Sequence, residues 1–204
     1  MNRWGSTGVT ALAILASLLI IGAGTSSVFL HESEGLSNEV QNTVNNVLQE
    51  ITAYVDVKNI IGYFNNVGKD AQLKKLIILL KPLIETTINL PQLNIQISNG
   101  ASIRVFSYNG TAEKTSEDLF NNRVWNKISK NEFGVIILTD EDNSIKDWQM
   151  INKDLVYLTL PIPPDLTIKP DSNIKISIIP NNGCINTLEV EIPFLLSSNV
   201  VYLQ

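Results

Sequence analysis

The chain has 204 residues, a formal net charge of −5 and an isoelectric point near 4.9. Its 15 basic residues stand singly or in pairs, so there is no basic patch of the kind that holds a nucleic acid. One cysteine, Cys184, cannot form an internal disulfide, and with one histidine, His31, it leaves almost no material for a His/Cys metal set or a nucleophile–base pair.

Residues 9–30 carry no charge at all. As a helix rising ~1.5 Å per residue this stretch measures about 33 Å, the thickness of a bilayer's hydrocarbon core. Before it stands a short head whose one side-chain charge is Arg3, and after it come His31, Glu32 and Glu34. Positive charge ahead of the span predicts an N-terminus held in the cytoplasm and an exported C-terminal part. The apolar region is longer than that of an ordinary secretory signal, and Ile21-Gly22-Ala23 is a poor cut site because Ile21 is bulky. Small residues lie one turn apart within the run, Ala13 with Ser17 and Gly22 with Ser26, a spacing that lets helices approach closely.

The helical period continues beyond the run. Leu36, Val40, Val44, Val47, Leu48 and Ile51 form one stripe, separated by Asn, Gln and Glu. A rod over residues 6–51 is predicted, apolar first and amphipathic later. A plain membrane anchor has no use for the second half, whereas a subunit packed among copies of itself does.

From residue 52 the period becomes two. Strands are predicted at 52–58, 75–83, 93–98, 102–108, 133–139, 155–161, 165–169, 173–179, 188–193 and 199–203. Turn signals lie between them at Asn99-Gly100, Asn109-Gly110, Lys169-Pro170-Asp171 and Asn181-Asn182-Gly183. Residues 114–130 read as a helical turn or a long loop carrying Trp125. The expected fold class is α+β: a long N-terminal hydrophobic helix, then an antiparallel β-sandwich of immunoglobulin-like kind over 52–204.

Three stretches carry a resemblance. Gly5 followed by Ser6-Thr7-Gly8-Val9-Thr10-Ala11-Leu12 resembles the start of the archaeal flagellins (archaellins), with Arg3 alone where family members show a basic pair. Phe133 to Leu138 with the acidic Asp140 to Ser144, and Ile151-Asn152-Lys153-Asp154-Leu155-Val156, resemble that family's middle; Lys153 stands where the family commonly has glycine. The end, from Ile192-Pro193 to Val200-Val201-Tyr202-Leu203-Gln204, is similar to its terminal strand. The resemblance implies a leader over 1–5, a cut between Gly5 and Ser6 by a prepilin-type signal peptidase, and Gly8 as third residue of the mature chain. It also implies a membrane-inserted precursor that polymerises with itself, and with related archaellins, into an extracellular cell-surface filament for swimming. Two alternatives stay open: a type IV pilin-like adhesion filament, and a membrane-anchored archaellum-associated binding module.

Candidate sites are few. Asp140, Asp142, Ser144 and Asp147 place oxygens at close intervals, as a hard cation such as Ca2+ requires, though not with the glycine and glutamate of an EF-hand. Asn109-Gly110-Thr111 is the one N-x-[ST] acceptor for an N-glycan. Glu189 and Glu191 share a strand face without an acid–base partner. With no phosphate cradle and no triad, the chain does not read as an enzyme.

Overall fold

The structure, a computed structural model, describes residues 55–82, 87–151, 153–181 and 184–203. The predicted rod lies outside the described residues. So do the leader, Gly5, Ser6, Gly8, Ala13, Ser17, Gly22, Ser26 and His31.

The described part is built on strands: β1 (Val55–Phe64), β2 (Leu73–Pro82), β3 (Ile88–Asn89), β4 (Asn94–Ser98), β5 (Ile103–Lys114), β6 (Glu132–Thr139), β7 (Gln149–Met150), β8 (Leu155–Pro161), β9 (Asn173–Ile179), β10 (Asn186–Glu191) and β11 (Val200–Tyr202). Nine of them form one sheet in the order β10-β9-β4-β5-β6-β8-β2-β1-β11, and β3 pairs with β7 in a small ribbon. The sheet curls around a continuous core. Ile174, Ile176, Ile178 and Val190 from one end share a buried cluster with Val55, Ile60 and Phe64 from the other. Across the closing gap, buried Asn186 of β10 donates its Nδ2 to the carbonyl of Val55, at 2.8 Å.

Alternation explains which face each strand buries. Leu76, Ile78 and Leu80 of β2 and Val156, Leu158 and Leu160 of β8 point inward, while Ile77 and Tyr157 point out. The outer face is not all in water. There Ile61, Ile77 and Tyr157 meet Leu119, Phe120 and Trp125 of the segment joining β5 to β6. This is why β2 reads as a nearly unbroken apolar run: its middle is covered on both sides.

Three expectations are corrected. The pairing is not antiparallel throughout, since β5 and β6 run parallel. A parallel pair needs a crossover of a dozen residues or more, and residues 115–131, with short 3-10 turns at Leu119–Asn121 and Arg123–Asn126, supply it. Residues 165–169 are not a strand. Leu166 and Ile168 are buried, yet the segment is a cap over one end of the sheet, tied by Leu73 N to the Ile168 carbonyl at 3.0 Å. Asn109-Gly110 does not end a strand either. It is an irregularity within β5, where Gly110 takes φ 85 and the register to β6 shifts between Tyr108 and Ala112.

Gly134 shows why a glycine stands in the middle of β6. A Cβ there would meet Val124 Cγ2 at 2.4 Å and Ile128 Cγ2 at 3.0 Å, so the crossover lies where a side chain would be. Thr159 Oγ1 from β8 donates to the Gly134 carbonyl at 3.0 Å, satisfying a buried hydroxyl on the same face.

Candidate functional site

The acidic loop between β6 and β8 brings oxygens together, with one change in membership. Asp140, Asp142 and Asp154 each present a carboxylate oxygen, all within 4.8 Å of one another. Ser144 joins them: its Oγ donates to Asp154 Oδ2 at 3.0 Å, and its N–H donates to Asp142 Oδ1 at 3.1 Å. The loop folds this way because Asn143 takes φ 61 and starts a 3-10 turn over Ser144–Asp147. Asp147 lies at the far end of that turn, exposed and outside the cluster.

Asp154 is fully buried and is the structural centre of the group. Its Oδ2 accepts from Ser144 and from Ile151 N–H at 2.8 Å, while its Oδ1 has no hydrogen-bond partner; the buried Oδ1 of Asp140 has none either. Burial pushes the Asp154 carboxyl above its usual range, and the negative charges of Asp140 and Asp142 add to that. On exposed Asp142 the Ser144 N–H pulls the other way and holds the carboxyl below its usual range. A buried carboxylate beside two others, with orphaned oxygens and oxygen-only donors, fits a hard cation of the calcium type. Spacing along the loop did not reveal Asp154. The one signal for it was its place immediately before the buried strand β8, inside a stretch already noted for its resemblance.

At the acceptor motif, Asn109 is half-buried; its Nδ2 donates to the Lys127 carbonyl at 2.8 Å and its Oδ1 accepts from Thr111 N at 3.0 Å. Cys184 is exposed. Glu189 and Glu191 both face solvent on β10. On the outer face, Lys75 points its ammonium at the Trp125 ring, 4.7 Å from the centroid, and donates to the Phe120 carbonyl at 2.6 Å. Burial lowers its pKa, and the nearby Asp118 opposes the shift. That arrangement pins the crossover; it offers no reacting atom.

Comparisons with known proteins place this architecture. The family model described as archaeal-type flagellin matches residues 5–190. Flagellin B4 of Pyrococcus abyssi is 26% identical over 219 residues covering 100% of both chains. Flagellin B2 of Methanocaldococcus jannaschii is 28% identical over 214 residues, 100% of this chain and 96% of the relative. Among solved structures, the crystal structure of archaeal flagellin FlaB1 from Methanocaldococcus jannaschii matches with a TM-score of 0.64 at 18% identity, over 74% of this chain and 96% of that one. The archaeal flagellum of Methanospirillum hungatei strain JF1 matches with a TM-score of 0.59 at 14% identity, over 97% and 99%. The β-rich curled sheet is therefore the fold those structures share, and the chain belongs to the archaeal-type flagellin family, whose members are structural subunits of an extracellular motility filament and not enzymes.

Proposed function

We propose that residues 1–5 are a leader, that a prepilin-type signal peptidase cuts between Gly5 and Ser6, and that residues 6–51 then become the packed core of a swimming filament. Residues 52–204 tile its outside. The observation that carries this reading is the uncharged stretch 9–30 in a chain of a filament-forming family. In a membrane precursor that stretch is satisfied by lipid. Once extracted, its apolar side chains have only each other, and each large aliphatic group kept from water contributes ~1.5–3 kcal/mol. Gly8, Ala13, Ser17, Gly22 and Ser26 supply the small positions that let neighbouring rods approach. Mass spectrometry of filament subunits tests the cut: a chain starting at Ser6 supports it, and filaments whose subunits keep Met1 overturn it.

The outer part is read as an immunoglobulin-like sandwich in which β10-β9-β4-β5 and β6-β8-β2-β1-β11 act as the two layers. What supports this is the one core cluster that draws on both halves of the sheet. The same region has two decorations. Asp140, Asp142, Asp154 and Ser144 would hold a hard divalent cation, which would neutralise their charge and fix the loop at the end of β6. Calcium should raise the thermal midpoint of the full chain, and Asp154→Asn should abolish that rise while keeping the bonds from Ser144 and Ile151; equal rises in both sink the assignment. An N-glycan on Asn109 would replace one amide hydrogen of Nδ2 and leave the other for the Lys127 carbonyl. A mass increment on the peptide containing Asn109, absent in Asn109→Gln, would show it.

A further inference from the structure

The strand registers define two ends of the curled sheet. Phe64, Leu73, Pro161 and Glu132 lie at one end, and Val55, Pro82, Leu155 and Thr139 at the other. Strands of seven to ten residues separate them, about 23–33 Å at ~3.3 Å per residue.

The first end carries an apolar patch on a fixed base. Val67 in the β1–β2 turn is 52% exposed, Phe194 50% and Leu195 74%. Both flanks of the Phe194-Leu195 pair are anchored, since Ile192 and Leu196 are buried in the core. The loop's end is stitched to β1 by Phe64 N to the Asn199 carbonyl at 2.7 Å and by Asn199 Nδ2 to the Phe64 carbonyl at 2.9 Å. So Phe194 and Leu195 are held outward. A cation sits among them, with the Lys69 ammonium 5.2 Å from the centre of the Phe194 ring.

The second end carries the complement. Trp148 is 52% exposed and takes φ 61. A bulky side chain is costly in the left-handed region and persists there only where its surroundings fix it. The fixing bonds are present: Trp148 N donates to the Ile145 carbonyl at 3.0 Å, and Leu90 N donates to the Trp148 carbonyl at 2.9 Å. Beside it stands exposed Asp147, the carboxylate that the acidic cluster leaves out. One end thus offers aliphatic and aromatic surface around a cation, and the other an aromatic next to an anion.

We propose that the Val67–Phe194–Leu195 end of one subunit docks on the Trp148–Asp147 end of a second copy of this chain, with Lys69 facing Asp147. Two different surfaces at opposite ends make a heterologous contact, which repeats as an open helical array when its rotation does not close into a ring. The proposal rests on the chain being a filament subunit, and assembly of the unaltered chain into filaments checks that separately. It adds a contact between outer sheets to whatever the N-terminal segments provide.

The test uses filaments of the full chain, followed by light scattering as temperature rises. Leu195→Glu, at a site too exposed to disturb the core, should lower the dissociation midpoint by several degrees, while circular dichroism of dissociated subunits shows the same unfolding midpoint as the unaltered chain. Lys69→Glu and Asp147→Lys should each lower the filament midpoint less, and the two together should recover most of the loss. An unchanged midpoint for Leu195→Glu overturns the docking surface. A Lys69→Glu/Asp147→Lys filament no more stable than the sum of the single changes overturns the pairing of ends.

Discussion

The curled sheet is packed on both faces, but by different means. Inside, ten of the eleven described strands meet in one cluster built almost wholly of aliphatic and phenylalanine side chains. Outside, a small cluster of Ile61, Ile77 and Phe120 is covered by the crossover and held by polar contacts as well. Trp125 Nε1 donates to the Leu119 carbonyl at 2.8 Å, Lys75 to the Phe120 carbonyl, and Asp118 caps the first 3-10 turn through Phe120 and Asn121 N–H. The difference teaches that a sheet face can be closed by area alone where many strands converge. A single loop, burying little, needs directional bonds to hold it down.

The largest effect should come from the inner cluster. Leu158 is fully buried at the middle of β8, and Leu158→Ala leaves a cavity that interlocked neighbours cannot refill. A loss of about 2–5 kcal/mol is expected, read as a fall in the chemical denaturation midpoint with an unchanged slope. A loss well under 1 kcal/mol would mean that the interior is loosely packed and the contrast between faces is false.

Next in size is Gly134→Ala, which attacks the outer face alone. The added Cβ would sit 2.4 Å from Val124 Cγ2, so the crossover must shift. Overpacking of this kind costs about 1–3 kcal/mol. The contrast sharpens if the change also moves Trp125 fluorescence towards that of exposed indole while the far-ultraviolet circular dichroism stays put. If fluorescence does not change, the crossover is not seated as described.

Much of this sheet was legible in the sequence. Strands β4, β6 and β9 announce themselves as isoleucine- and valine-rich runs, and β2 and β8 as largely apolar runs. What could not be read is of three kinds. The parallel β5–β6 pair depends on how residues 115–131 return, which no local pattern encodes. The cap over 165–169 alternates like a strand because Leu166 and Ile168 are buried, yet its backbone bonds go to Leu73, Pro163 and the side chains of Asn99 and Ser172 and form no ladder with a neighbouring strand. In the acidic loop, Asp140, Asp142 and Ser144 were visible from spacing, but Asp154 is ten residues beyond Ser144 and joins through folding. Asp147 was drawn in by spacing and falls outside, because a 3-10 turn carries it away from the cluster.

The smallest effect should be found at Tyr108, the place where the inner packing keeps a polar group it does not satisfy. Tyr108 packs its ring against Phe133, 5.5 Å between centroids, and its hydroxyl is buried without a hydrogen-bond partner. Removing such a hydroxyl takes away a desolvation cost and no bond, so Tyr108→Phe should be neutral or slightly stabilising at pH 7. Burial also raises the phenol from 10.0 to about 12. A phenol whose folded pKa is raised contributes stability that is fully present below the unfolded value and is lost as pH rises through the folded one. The unaltered chain should therefore lose stability across pH 10 to 12 through this group, and Tyr108→Phe should lose less over the same window. Parallel pH curves for the two proteins would show that the hydroxyl reaches water, and that the interior at this point is no drier than the cluster outside.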